Sequence, residues 1–288
     1  MGSKPSQDAV SPGSLCGADR GDRLAIFVHG LGMNGAKHGR ALLAGAQDAG
    51  WRLHFACCNL GSSGLGTFMS TLGGVATGGE RLACEVREVV ARTGAREVVL
   101  IGASLGGLYC RQAARFLWGG DGHYHCEARP LALVTLATPH LGIRGLYNNG
   151  SLKLWLGRSL MDTPADLMWD NDVLSDLAAG AFTEALGRFG ARVAYAPTVD
   201  DGIVSYPSAA LTMRASPSLP ASDSCFGEER FIDGAEAATG WCGLETHGFG
   251  IEIQGAVAEK IRSAASSLLT AGPWTVVDIG MSHRDMAG

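Results

Sequence analysis

Residues 97–107 read Glu97-Val98-Val99-Leu100-Ile101-Gly102-Ala103-Ser104-Leu105-Gly106-Gly107. The first five form a continuous apolar, β-branched run after one acid, which predicts a buried strand. A helix is expected from there to about Trp118. Between the two stands Gly102-Ala103-Ser104-Leu105-Gly106, a Gly-x-Ser-x-Gly at a strand-to-helix junction. Side chains two residues either side of such a sharp turn would collide with neighbouring backbone, and glycine relieves that collision. The Ser104 hydroxyl would then stand at a helix N-terminus, where the dipole favours a developing oxyanion. Gly61-Ser62-Ser63-Gly64-Leu65 fails the same pattern, because its last position is leucine.

Working outward, Leu24 to Val28 predicts a second buried strand ending at His29-Gly30, and residues 36–49 a helix stopped by Gly50. Residues 51–57 predict a strand and 61–74 a glycine- and serine-rich loop. Leu82, Val86, Val89 and Val90 mark a helix that ends at Thr93-Gly94. Residues 131–137 and 191–197 predict further strands. A helix over 251–270 and a strand from Trp274 to Ile279 close the chain. Continuous apolar strands alternating with helices predict a mostly parallel sheet covered on both faces. Residues 1–21 read as a flexible arm and 22–288 as one α/β domain. Two stretches break its rhythm: 141–190, read as a helical cap, and 212–245, read as irregular.

Composition excludes several classes. The net charge is -5, so a polycation built for nucleic acid is a poor reading. No apolar run approaches the ~18 residues of a membrane span. The 42 glycines among 288 residues are aperiodic, which implies many tight turns rather than collagen. Eight cysteines include no C-x-x-C pair, and no metal site is expected. Cys57, Cys58, Cys84 and Cys110 lie in apolar segments and read as small core residues. Cys225 and Cys242 bracket a loop, but no secretory signal precedes them, so a cytoplasmic setting is expected. The opening MGSKPS fits the myristoylation pattern at Gly2 and would give peripheral membrane contact. A chance match and a cloning scar are the competing readings.

A serine nucleophile needs a base, an orienting acid and an oxyanion hole. In the strand–elbow–helix setting the chain order is serine, acid, histidine. Asp200 and Asp201 follow the 191–197 strand, and either fits. His247 and His283 follow the acids; His283, just after the last strand, is favoured because a returning loop there would overhang the serine. The N–H groups of Leu105 and Leu31 are the expected oxyanion donors. His29 would shape the Leu31 loop without transferring protons. Gly30-Leu31-Gly32-Met33-Asn34-Gly35 is also a formal dinucleotide fingerprint, but Ala56-Cys57-Cys58-Asn59 lacks the acid that would hold a ribose. No cofactor is therefore expected.

With these residues in view, the chain resembles the lipase-like serine esterases of eukaryotes within the α/β-hydrolase superfamily. The resemblance covers roughly 22–286 and rests on FVHGLGMNG (27–35), LIGASLGG (100–107), TLATPHLG (135–142), DDGIVSYPSA (200–209) and WTVVDIGMSH (274–283). It implies an α/β-hydrolase fold, Ser104 as nucleophile, Asp201 as acid and His283 as base. The expected activity is hydrolysis of carboxylic esters, with acyl lipids as the expected substrates. An acyltransferase or thioesterase on the same triad, and a non-catalytic binding relative, are the alternatives. Leu152, Leu154, Trp155 and Met161 of the 141–190 stretch would either present a lid to an acyl chain or face the core.

Overall fold

The computed structural model describes residues 15–17, 22–31, 42–46, 48–61, 63–120, 125–143, 161–198, 203–212, 226–232 and 256–279. Among the described residues eight strands form one sheet: β1 (Leu15–Gly17), β2 (Arg23–Val28), β3 (Arg52–Phe55), β4 (Glu97–Ala103), β5 (Arg129–Leu136), β6 (Ala191–Pro197), β7 (Phe226–Ile232) and β8 (Trp274–Ile279). Their order is β1-β3-β2-β4-β5-β6-β8-β7. The six inner strands run parallel. The two at the edges, β1 and β7, are antiparallel.

Helices among the described residues include α1 (Gly64–Ser70), α2 (Val75–Thr93), α3 (Leu105–Trp118), α4 (Asp162–Leu167), α5 (Val173–Asp176), α6 (Gly180–Gly187), α7 (Tyr206–Ala209) and α8 (Ala256–Thr270). Alternation along β2 sorts its side chains: Leu24, Ile26 and Val28 enter the main core with α2, α3 and α8. Ala25 and Phe27 enter a smaller one with Phe55, Leu42, Leu43 and Ala46. Both faces of the parallel strands are thus covered, as expected. Helix α3 runs through the centre, with twelve of its residues buried. It crosses α2 closely: a side chain at Gly78 would overlap the Tyr109 ring, and one at Gly79 would overlap Gln112. Gly94, at φ 64°, ends α2 as its position predicts.

Four local expectations are corrected. The 61–74 stretch is not all loop, because Ser63 caps α1 by accepting from the Gly66 N–H at 3.0 Å. Within 212–245, residues 226–232 form β7; the sequence Glu228-Glu229-Arg230 hides an edge strand, since an edge is where charge is tolerated. Within 1–21, Leu15–Gly17 pairs with β3. Cys110 is a core residue, but Cys57 is exposed. Strand β3 ends at Phe55, and the turn that follows is organised by Glu85. That carboxylate accepts from the Cys57 and Cys58 N–H groups at 2.9 and 2.7 Å and meets His54 Nε2 at 2.7 Å.

Candidate active site

All the parallel strands deliver their C-terminal ends to one edge, where a doubly wound sheet gathers its chemistry. At the end of β4, Ser104 adopts φ 52°, ψ -125°. A non-glycine residue held there stores roughly 1–3 kcal/mol of backbone strain. The surrounding packing enforces it. A Cβ on Gly102 would overlap Gly107 Cα, and one on Gly106 would overlap the Val28 carbonyl and stand 2.7 Å from that of His29. A Cβ on Gly107 would overlap Thr138. The Ser104 N–H donates to the Leu136 carbonyl at 2.7 Å, and the Gly107 N–H to the Ser104 carbonyl at 3.1 Å. The result is a half-buried serine at the first turn of α3, with Leu105 as the helix's first residue.

The end of β2 lies directly against this elbow. His29 is buried, and its Nδ1 is 2.9 Å from the Gly30 carbonyl, so that nitrogen carries the proton and donates. His29 is a strand-end histidine hydrogen-bonded to backbone. Half-buried Leu31 follows at the same edge and packs its side chain on the main core. Asn59, where a ribose-binding acid was sought, is buried and donates to the Gly78 carbonyl at 3.2 Å.

Asp200, Asp201, His247 and His283 lie outside the described residues, as do Gly2, Leu152, Leu154 and Trp155. The strand ends that lead to the acids and to His283 are described. Pro197 of β6 pairs with Ile279 of β8. The Thr198 N–H and hydroxyl both donate to the Ile279 carbonyl, at 2.9 and 3.2 Å. Met161 is half-buried just before α4. A cavity of about 460 Å³ between α3 and α5–α6, lined by Gln112, Arg115, Asp176 and Phe182 among others, contains neither Ser104 nor Leu31.

A second layer was invisible to motif reading. Arg111, seven residues beyond Ser104 and fully buried, donates to the His140 carbonyl and to His140 Nδ1, both at 3.3 Å. It also donates to the Leu177 carbonyl at 3.0 Å. His140 Nε2 therefore carries the imidazole proton and donates to Thr135 Oγ1 at 3.0 Å, whose own proton goes to the Val193 carbonyl. Burial first, and the Arg111 charge second, hold the His140 pKa well below its ordinary value. Burial pushes Arg111 down to about 9, so it remains charged at neutral pH. His140 is thus a neutral core histidine that fixes the 137–142 turn against the elbow. The signal for it was Arg111 itself, one of two arginines in α3, set directly after the apolar run Leu108-Tyr109-Cys110.

Among the described residues, no cluster of His, Cys, Asp or Glu is arranged to hold a metal ion. No described helix is long and apolar enough to cross a membrane.

Comparison with known proteins gives the family. "Putative lipase ROG1" of Saccharomyces cerevisiae is 31% identical over 153 residues, 51% of this chain and 22% of that protein. The chain therefore spans under a quarter of that relative's length. Among solved structures, the Bacillus licheniformis lipase BlEst2 in its propeptide form is 20% identical, with a TM-score of 0.45, over 65% of this chain and 40% of its own. A monoacylglycerol lipase of Paleococcus ferrophilus is 14% identical, with a TM-score of 0.44, over 67% of this chain and 79% of its own. The family described as "Putative serine esterase (DUF676)" matches residues 18–212. That span exceeds half of the chain and holds the elbow, so the protein belongs to that DUF676 family and has the α/β-hydrolase fold.

Proposed function

We propose that the protein is a carboxylic ester hydrolase acting on acyl lipids. The observation that carries this reading is Ser104 itself, a strained, half-buried serine at the strand-to-helix turn, held by three glycines with no room for a side chain. Ser104 Oγ attacks the ester carbonyl carbon, and His283 takes its proton. The tetrahedral oxyanion is held by the N–H groups of Leu31 and Leu105. The carbon–oxygen bond to the alcohol then breaks, and His283 returns the proton to that alcohol. Water, deprotonated by His283, cleaves the acyl-serine and restores the enzyme. Asp201 orients the imidazole and stabilises its charged form. No metal or organic cofactor enters these steps. The proposal includes one catalytic domain over 22–288, with insertions at 141–190 and 212–245, and peripheral membrane contact through acylated Gly2.

The test is covalent labelling by a fluorophosphonate, comparing the native protein with Ser104→Ala, His283→Ala and His247→Ala. Loss of labelling in the first two alone supports the assignment. Loss with His247→Ala in place of His283→Ala moves the base. A folded native protein that takes no label overturns the hydrolase reading. Lipid preference is read from hydrolysis of acetyl against long-chain esters.

A further inference from the structure

Helix α1 is built inside out. Its buried side chain is the polar one, Thr67, whose hydroxyl accepts from the Gly61 N–H at 3.1 Å. Ser70 donates to the Asn59 carbonyl at 2.6 Å. A Cβ on Gly61 would overlap the Gly66 backbone, so the 59–61 segment lies directly on the helix. The apolar side chains do the opposite: Leu65 is 72% exposed, Met69 55% and Phe68 38%. Their spacing of three and four puts all three on one face. The helix is therefore held by its cap and polar bonds, and three large apolar groups are turned to the outside.

Position and charge say what this face fits. Helix α1 follows the C-terminal end of β3, two strands from β4, so it stands on the Ser104 edge at a spacing on the order of 10 Å. The turn after it is tied to the nucleophile's helix, because the Tyr109 hydroxyl donates to the Thr71 carbonyl at 3.1 Å. Ile203, six residues beyond the end of β6, is another large apolar residue left exposed. No Asp, Glu, Lys or Arg occurs between Arg52 and Glu80, in a chain that is 18% charged. Arg81 reaches the helix's C-terminal end, at 3.3 Å from the Ser70 carbonyl. An anionic surface is ordinarily met by clustered Lys and Arg, and a protein interface frames its apolar core with a polar, charged rim; an apolar face at the mouth of a site, on a segment with no charged residue of its own, is matched by acyl chains.

We propose that Leu65, Phe68 and Met69 form a docking face for the surface of a neutral acyl-lipid aggregate, into which they insert. Docking would set the Ser104 edge against the lipid. Only that use rests on the hydrolase reading; the docking does not.

The experiment is flotation with phosphatidylcholine vesicles, using full-length protein produced without N-terminal acylation so that Gly2 contributes nothing. The native chain and Ser104→Ala are expected to float equally. The triple change Leu65→Ser, Phe68→Ser, Met69→Ser is expected to lower vesicle affinity at least tenfold, with unchanged fluorophosphonate labelling in solution. The single change Leu65→Lys, at the most exposed of the three positions, is expected to weaken binding in the same direction and cannot disturb the core. Docking is overturned if the native chain does not float, or floats only when anionic lipid is added. It is also overturned if the triple change leaves flotation intact or dissociates a dimer seen by analytical ultracentrifugation. Absent labelling with intact flotation would overturn the hydrolase reading alone.

Discussion

The Tyr206 hydroxyl donates to Asp278 Oδ1 at 2.8 Å, between two side chains that are both buried. Tyr206 opens α7, after the segment that follows β6, and Asp278 is the penultimate residue of β8. The bond thus joins the two segments that flank the proposed acid and base. Tyr206→Phe is expected to lower stability by about 1–2 kcal/mol, since a buried carboxylate loses one donor. Fluorophosphonate labelling should slow several-fold in the same variant. Urea unfolding and labelling rates, measured together, check both parts.

The elbow's glycines make a sharper prediction. Gly106→Ala would drive a methyl into the Val28 carbonyl, which backbone cannot yield without moving β2 from β4. We expect a loss of more than about 3 kcal/mol, or failure to fold, with labelling abolished. Gly64→Ala, at the first position of α1 with nothing within 4 Å, should instead be neutral or gain up to about 1 kcal/mol. Thermal unfolding of the two variants side by side is the measurement.

Glu85 gives a pH dependence. Burial alone would raise its pKa, but the bonds from His54 and the Cys57 and Cys58 amides outweigh it and hold the group at about 2, against an ordinary 4.5. A carboxylate depressed on folding contributes stability that is fully present above about pH 4.5 and lost as pH falls towards 2. Glu85→Gln should therefore flatten the fall of the unfolding free energy over that window. It should also lower stability at neutral pH. An unchanged acid limb in denaturant titrations would contradict this.

Arg111 is expected to matter through structure alone. Arg111→Met keeps the length but leaves the His140 and Leu177 carbonyls without their donor. The expected loss is about 2–4 kcal/mol. Labelling per folded molecule should be retained at low temperature, because the guanidinium touches the 137–142 turn and not the serine. Loss of labelling without loss of stability would assign Arg111 a more direct part.

The elements that bury continuous apolar runs were legible in the sequence. β6 and β8 have the limits their composition implies, and α3 ends at Trp118 as expected. The elbow was legible because its chemistry demands glycine at fixed offsets. What escaped was structure whose logic is not burial. Helix α1 hid behind its glycines, although Ser63 followed by Leu65, Phe68 and Met69 carries both a cap and a helical spacing. Strand β7 hid behind charge, and Cys57 behind the apolar residues beside it. The Arg111–His140–Thr135 relay joins residues 111, 135 and 140 through space, and no local pattern announces a hydrogen bond between a helix and a turn.

The residues matched by the family end at Thr212, yet the sheet does not. Its last parallel strand, β8, and the antiparallel strand β7 both come from beyond that point. A protein cut after Thr212 would keep the elbow and every matched residue. It would also bare the side of β6 turned away from β5, where Val193 to Pro197 now pair with Thr275 to Ile279. An open, apolar inner strand invites pairing with its copies in other molecules. The closing segment is therefore a solubility device as well as the carrier of the proposed base, and fragments trimmed to the matched span should precipitate.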